Sequence, residues 1–406
     1  MTASPRRSGS VGLPSRRVLL GGMLGMGACG LGRPRPARAT GVGADEIVLG
    51  THLDLTGPLA AGMDHLRNGT QMRLDEANEA GGIHGRRLRL IAEDNAGRPD
   101  AALRAAEALV ARDEVLAIVN AFGAGANAAV LRRATAAGML VYAPWGPSAV
   151  LQRLAGGSPW LFTTLPNYDT TTAAALRWMR ESFKPARIGA VLQEGPLGDL
   201  VGAGVRLALA LAQPIAAEHR LAQGGDPAPA VTRMKAAGVD LVVVGCVVDD
   251  AARLAIALRE QAPDPDALRM LTAWPGRSPL LPAVAGEAAE GMYGVAPWRG
   301  LDPLAAPEDE LSAWAAGYRR RFGLPPDEAA LLAYVYAHWF LTALEAAGPE
   351  PTREKVAEAL RKGTFTHPAF PDAKAFQRNH LAPESVHMAR VRNGAWTPAS
   401  QLLAAD

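Results

Sequence analysis

Ile47-Val48-Leu49-Gly50-Thr51-His52-Leu53, followed by an amphipathic stretch over 64–80 and then by Arg87-Leu88-Arg89-Leu90-Ile91-Ala92-Glu93, reads as strand, helix, strand. The flanking runs are short and apolar, whereas apolar positions in the middle stretch recur at three and four, the period of a helix with one buried face. The alternation continues down the chain. Strands are expected over 115–119, 139–142, 187–192, 240–244 and 269–272, with helices over 100–112, 126–137, 168–183, 197–211 and 249–261. Short strands alternating with longer helices are the signature of parallel sheets covered by helices, so the fold class is α/β. Two successive runs of similar length, 47–163 and 187–272, point to two sheets rather than one very wide one. A cleft should lie between them. Ligands of open α/β sheets sit beyond the carboxyl ends of the strands, so the loops after Leu53, Val119, Tyr142, Leu192, Val244 and Thr272 should line it. Helices are expected again over 308–322, 327–347 and 352–362, and the last 40 residues read as an irregular β or loop tail.

The chain has 406 residues, is 49% hydrophobic and 20% charged, and can bury a large core. Lysine and arginine (42) nearly balance aspartate and glutamate (40), and no basic run with interleaved aromatics follows residue 40. Nucleic acid is therefore not an expected partner. Ser15-Arg16-Arg17-Val18-Leu19-Leu20 places a twin arginine before a short, glycine-diluted apolar stretch, and Ala37-Arg38-Ala39 offers a small-x-small cleavage site. Residues 1–39 read as a Tat-like export signal with Thr40 as the first mature residue, which places the protein in the periplasm and makes the mature chain acidic. Met26-Gly27-Ala28-Cys29 approximates a lipoprotein box, so a lipid anchor through Cys29 is the alternative ending. After cleavage Cys246 stands alone, at the end of an apolar run where a buried thiol is expected.

Gly123-Ala124-Gly125-Ala126-Asn127-Ala128 follows a strand and opens a helix, in the GxGxxA form of the dinucleotide fingerprint. The acidic residue that should follow about 20 positions later is missing, since the next strand ends in Val141-Tyr142-Ala143-Pro144. What remains is a helix N-terminus whose backbone N–H groups an anion can approach. No HExxH, GxSxG, GxxxxGK or paired cysteine occurs, so neither enzyme chemistry, a metal site nor a cofactor is expected. Glu93-Asp94-Asn95 reads as a turn, and His52 and His65 as structural or surface histidines. The aromatics say more. Trp145 and Trp274 fall in cleft loops, Tyr168 opens a helix and Trp298 lies at a crossover, whereas Trp314, Tyr334, Tyr336 and Trp339 lie on helices and should pack in the core.

Asp54-Leu55-Thr56-Gly57-Pro58-Leu59-Ala60, Asn68-Gly69, Asp75-Glu76-Ala77-Asn78 and Gly81-Gly82-Ile83-His84-Gly85-Arg86 resemble the branched-chain amino-acid binding protein family of ABC transporters. Asp94, the segment Val284-Ala285-Gly286-Glu287-Ala288-Ala289-Glu290-Gly291 and the closing Val391-Arg392-Asn393-Gly394-Ala395-Trp396 extend the match. The resemblance implies a type I periplasmic binding protein: two Rossmann-like lobes joined by three crossovers, near Leu165, Ala296 and Phe370, with a ligand cleft between them. Lobe I would comprise 46–164 and 297–370, lobe II 165–296 and 371–406. It implies a monomer that closes on a small-molecule ligand and docks on ABC permease subunits. An exported sensor of the same fold, feeding a signalling partner, is the alternative.

The family's amino-acid pocket does not carry over. Where the family places small hydroxyl residues that hold the ligand carboxylate together with backbone amides, this chain has Ala124 and Trp145-Gly146-Pro147. Leu197 and Val247 stand in place of tyrosines, and Pro275 in place of the acid that pairs with the ligand ammonium. An ammonium buried there would be left unpaired. The expected ligand is an apolar or aromatic carboxylate or amide, not a standard α-amino acid, held by Gly123, Ala124, Asn127, Trp145, Gly146, Pro147, Tyr168, Leu197, Val247 and Trp274. Arg67 is a further candidate for an anionic group.

Overall fold

The computed structural model describes residues 41–57, 59–210, 213–301 and 305–405. The export signal, Cys29 and the cleavage site lie outside the described residues. The first lobe is wound from β1 (Glu46–Leu53), α1 (Ala60–Glu79), β2 (Arg87–Asp94), α2 (Pro99–Ala111), β3 (Ala117–Val119), α3 (Ala124–Ala136), β4 (Leu140–Tyr142), α4 (Ser148–Leu154) and β5 (Leu161–Phe162). Its five strands are parallel, in the order β2-β1-β3-β4-β5. The second lobe follows with α5 (Tyr168–Phe183), β6 (Ile188–Gln193), α6 (Pro196–Leu209), β7 (Ala217–Leu221), α7 (Ala228–Ala236), β8 (Leu241–Gly245), α8 (Val248–Gln261), β9 (Arg269–Thr272), α9 (Leu280–Ala285) and β10 (Tyr293–Ala296). Its parallel strands run β7-β6-β8-β9-β10, the same winding repeated.

Alternation along each strand puts core on both sheet faces. From β1, Ile47 and Leu49 pack with Leu331, Val335 and Trp339, while Val48 points the other way, among Ala102, Leu109 and Val130. The second lobe does the same. Val242 and Val244 join Leu254 and Leu258 of α8, whereas Leu241 and Val243 join Leu176 of α5 and Val201 of α6. Cys246 ends this run fully buried, and burial pushes its thiol up to about 12, which removes the thiolate needed for reactivity.

The chain then returns to the first lobe as α10 (Glu310–Phe322), α11 (Glu328–Ala346) and α12 (Arg353–Lys362), each with its first turn capped by a side chain: Asp309, Asp327 and Thr352. The α11 segment is long and apolar enough to cross a membrane by composition, but Leu331, Val335, Tyr336, Trp339 and Phe340 sit in the core beside β1 and β4. Trp339 and Tyr336 are core residues as expected, while Trp314 and Tyr334 are only partly buried.

The tail is more ordered than its sequence suggested. β11 (Thr364–His367), β12 (Phe370–Gln377) and β13 (His380–Ala382) form a small antiparallel sheet, and β14 (Ser385–Arg392), antiparallel to β10, and β15 (Ala395–Pro398), antiparallel to β14, extend the second-lobe sheet, with β16 (Leu403–Ala404) on β14. Val386, Met388, Val391 and Trp396 are core residues. Phe376 and Leu381 pack in the first-lobe core, with Phe376 edge-on to Phe162, and β14, which starts at Ser385, pairs with β10 of the second lobe. β5, β7 and β10 escaped notice because they are two residues long, polar and at an edge, and glycine-interrupted, respectively.

Candidate functional site

In both sheets the strand order reverses beside the first strand of the lobe, between β1 and β3 and between β6 and β8. At such a switch point the two following connections run to opposite faces and leave a crevice above the strand ends. Gly123, Ala124 and Asn127 follow β3, Leu197 follows β6 and Val247 follows β8, while Trp145, Gly146 and Pro147 follow β4 and Trp274 follows β9.

In the first lobe the crevice is shaped by backbone strain. Asn120 and Ala143, each directly after its strand, hold φ of 52° and 51°, a region disfavoured for side chains with a β-carbon. The kinks carry the two loops upward in register. Phe122 N–H donates to His52 O (2.9 Å) and Trp145 N–H to Ala121 O (2.7 Å), so the ladder continues past the strands. Gly146 abuts the α3 terminus, where a β-carbon on it would lie 3.3 Å from Ala124 Cα, so this side of the crevice accepts no larger residue without movement. Gly123, at φ 105°, precedes α3, whose N-terminus has no side-chain cap and no acid in its first turn. Its free N–H groups and the positive end of the helix dipole favour an anion over Ala124, which is exposed.

Asn127 does not join them. It is buried, and its amide donates to Ala121 O (3.0 Å) and Trp145 O (2.9 Å), tying the two loops together instead of facing a ligand. Arg67 pairs with Asp64 at 2.6 Å on an exposed face. His52 is fully buried, with Nδ1 3.0 Å from Asn95 Nδ2, and burial lowers it to about 4, so it is a neutral core histidine. His65 sits 3.6 Å from Asp327 and stacks on Tyr318. Asp94 is a staple: it accepts N–H groups of Leu55 and Ala96 and the hydroxyl of Thr56, closing the turn that follows β1.

Aromatic rings gather where the lobes join. Trp274 lies 5.1 Å from Tyr168 and 5.7 Å edge-on to Trp298, and packs against the cores of both lobes. Tyr168 opens α5, Trp298 follows β10, and Trp274 starts the short 3-10 turn after β9, so three separate segments meet. Trp145, in the first lobe, packs at 6.3 Å from Phe122, a ring hidden in the sequence because it stands a few residues past a strand end. Trp145 and Trp274 share one feature. Each indole N–H is buried with no acceptor among the described residues, a loss of about 1–3 kcal/mol for a donor removed from water. Leu197, in the first turn of α6, and Val247, just before α8, are half-buried, and Val247 N–H donates to Gln193 Oε1 (2.9 Å), which joins the β6 and β8 ends. Pro147 precedes α4, whose Ala149 N–H donates to Asn167 Oδ1 at the first crossover.

Among the described residues no group of three or more His, Cys, Asp or Glu side chains is placed to hold a metal ion. Two α/β lobes with repeated winding, with small loops at their switch points and aromatic rings on neighbouring strand-end loops, form the architecture in which a solute is held between strand ends. The sequence model of the periplasmic binding protein family matches residues 46–395, and the chain belongs to that family, in its branched-chain amino-acid ABC transporter substrate-binding branch. It is 26% identical over 325 residues to the Leu/Ile/Val-binding protein BraC3 of Rhizobium johnstonii, spanning 78% of this chain and 84% of that one. Among solved structures it is similar to a fatty acid ABC transporter substrate-binding protein from Thermomonospora curvata, with TM-score 0.77, 22% identity, and 90% and 94% of the two chains covered. It is likewise similar to an ABC transporter solute-binding protein from R. palustris in complex with benzoate, with TM-score 0.74, 16% identity, and 89% and 98% covered.

Proposed function

We propose that this protein is the extracytoplasmic receptor of an ABC importer and that it captures an apolar or aromatic carboxylate, or the corresponding amide, by closing its lobes. The observation that carries the reading is that, of the three buried indole N–H groups without an acceptor among the described residues, two stand on strand-end loops, Trp145 on one lobe and Trp274 on the other, while the third, Trp314, lies on α10. A ligand with an acceptor group and an apolar body answers both, and the open N-terminus of α3 favours a negative charge. None of the ten positions expected to face the ligand carries a carboxylate, so an ammonium group would enter without a partner. The benzoate bound by the R. palustris relative and the fatty acid named for the T. curvata one are ligands of this class, whereas BraC3 is named for leucine, isoleucine and valine.

The receptor works as a monomer, is exported by its leader, and presents the closed form to permease subunits. Its chemistry is recognition alone, without a cofactor. Lobe I takes residues 46–164 and 297–384, lobe II 165–296 and 385–406, a division that the pairing of β14 with β10 supports. Isothermal titration calorimetry tests the ligand class with benzoate, a hydroxylated benzoate, a medium-chain fatty acid, benzamide and leucine. Heat on addition of an aromatic or aliphatic acid, with leucine silent, is the expected result. Tight leucine or valine binding with no response to the acids would overturn it.

A further inference from the structure

Behind the aromatic wall lies a charged contact that joins the two lobes. Arg277, on the turn after β9, donates from Nη1 to Glu328 Oε2 at 3.0 Å, and Glu328 is the first residue of α11 on the other lobe. Trp298 Nε1, on the crossover between them, donates to the same oxygen at 2.6 Å. One carboxylate oxygen therefore receives donors from the second lobe and from the segment that connects the lobes. The contact is buried, with the Arg277 and Glu328 side chains 5% and 10% exposed. The crossover backbone is fitted closely against it, since a β-carbon on Gly300 would fall 2.0 Å from Arg277 Nη2 and 2.4 Å from Glu328 Oε1.

We propose that Arg277, Glu328 and Trp298 form a lock between the lobes, which fixes them in the arrangement seen here and positions Trp274 as the wall of the ligand cleft. Two observations and one general property of buried ion pairs carry it. Arg277 and Trp274 share a turn closed by the Arg277 N–H bond to Trp274 O at 3.1 Å, and the Trp274 ring leans on Trp298, so pressure on the wall reaches both donors. A groove of about 420 Å³ opens beside Glu328, walled by Pro279, Pro282 and Trp396 of one lobe and Leu311, Ala315 and Pro325 of the other, which gives water a path to the pair when the lobes part. A buried ion pair also roughly balances its Coulomb attraction against the desolvation of both ions, so it orders a geometry without making release prohibitive. The pair thus suits a contact that forms and breaks in a working cycle. Arg277, Glu328 and Trp298 are positioning residues, none of which needs to touch ligand.

The effect on ligand affinity rests on the proposed function, but the lobe arrangement does not, so the test reads both. Small-angle X-ray scattering on the ligand-free protein is compared for wild type, Glu328→Gln, Arg277→Lys and Gly300→Ala. Gly300→Ala displaces the pair without leaving a buried charge alone, and serves if Glu328→Gln does not fold. The lock predicts a larger radius of gyration for Gly300→Ala and Glu328→Gln, a partial effect for Arg277→Lys, and roughly tenfold weaker binding of whichever acid calorimetry identifies, equal to about 1.4 kcal/mol. Wild-type scattering from folded Gly300→Ala and Glu328→Gln would overturn the lock whatever the ligand proves to be. Altered scattering with no acid bound by the wild type would leave the lock standing and refute the ligand class instead.

Discussion

Replacing Trp274 by phenylalanine separates what its ring does from what its N–H does. Phenylalanine keeps an aromatic face toward Tyr168 and Trp298, 5.1 and 5.7 Å away, and removes a buried donor that has no acceptor among the described residues. If that N–H is held for a ligand carboxylate, its loss forfeits a hydrogen bond to a charged acceptor, about 1.5–3 kcal/mol, or roughly ten- to more than a hundredfold in affinity. Removing an unsatisfied donor costs the ligand-free protein no hydrogen bond, so its unfolding midpoint should hold or rise slightly. The informative result is this opposition: weaker binding by calorimetry together with undiminished stability in urea. Trp145→Phe should behave alike, with Phe122 still in contact. Unchanged affinity for the acid in both variants would refute the reasoning, as would stability that falls in step with affinity.

Acid should destabilise the fold through His52. Its folded value, about 4, lies below the ordinary 6.5 because burial disfavours the charged ring, so its contribution is complete above pH 6.5 and is lost as pH falls toward 4. By pH 5 about 2 kcal/mol should be gone; urea unfolding at pH 7 and pH 5 should show a smaller difference for His52→Asn, and equal differences would exclude His52 as the source. Asn127→Ala should cost about 1–3 kcal/mol by leaving Trp145 O unanswered and Ala121 O with only the Trp145 N–H, and should weaken ligand binding by freeing the loops, which calorimetry and thermal unfolding would read together. Gly198→Ala places a β-carbon 1.9 Å from Gln193 O, so α6 must lift off β6; a fall in unfolding midpoint is expected, and an unchanged one would mean the loop yields freely.

The alternation of strands and helices and the two successive runs were legible in the sequence because they depend on local periodicity. The runs 47–53 and 241–245 are short, apolar and rich in β-branched residues, as buried strands are, and the helical stretches carry one apolar face each. The turn Gly81-Gly82-Ile83-His84-Gly85-Arg86 was legible for a related reason: Gly81, Gly82 and Gly85 all take positive φ, which glycine adopts most freely. Trp145, Trp274 and Tyr168 could be picked out as rings in loops, but their partners could not.

Other features depend on residues far apart in the chain. Asn127 looked like a ligand contact and proved to be a tie between two loops, because the geometry of its acceptors exists only once β3 and β4 are side by side. The Arg277–Glu328 contact spans 51 positions, and nothing near either residue marks it. The small sheet of β11 to β13 was unreadable because its pattern is filled by long-range packing of Phe365, Phe376 and Leu381 on the first-lobe core, not by a local period. The sequence by itself thus determined the α/β architecture and the family. Only the tertiary structure decided which donors are left for a ligand and which are spent within the protein, because hydrogen-bond satisfaction belongs to pairs of groups that folding alone brings within reach.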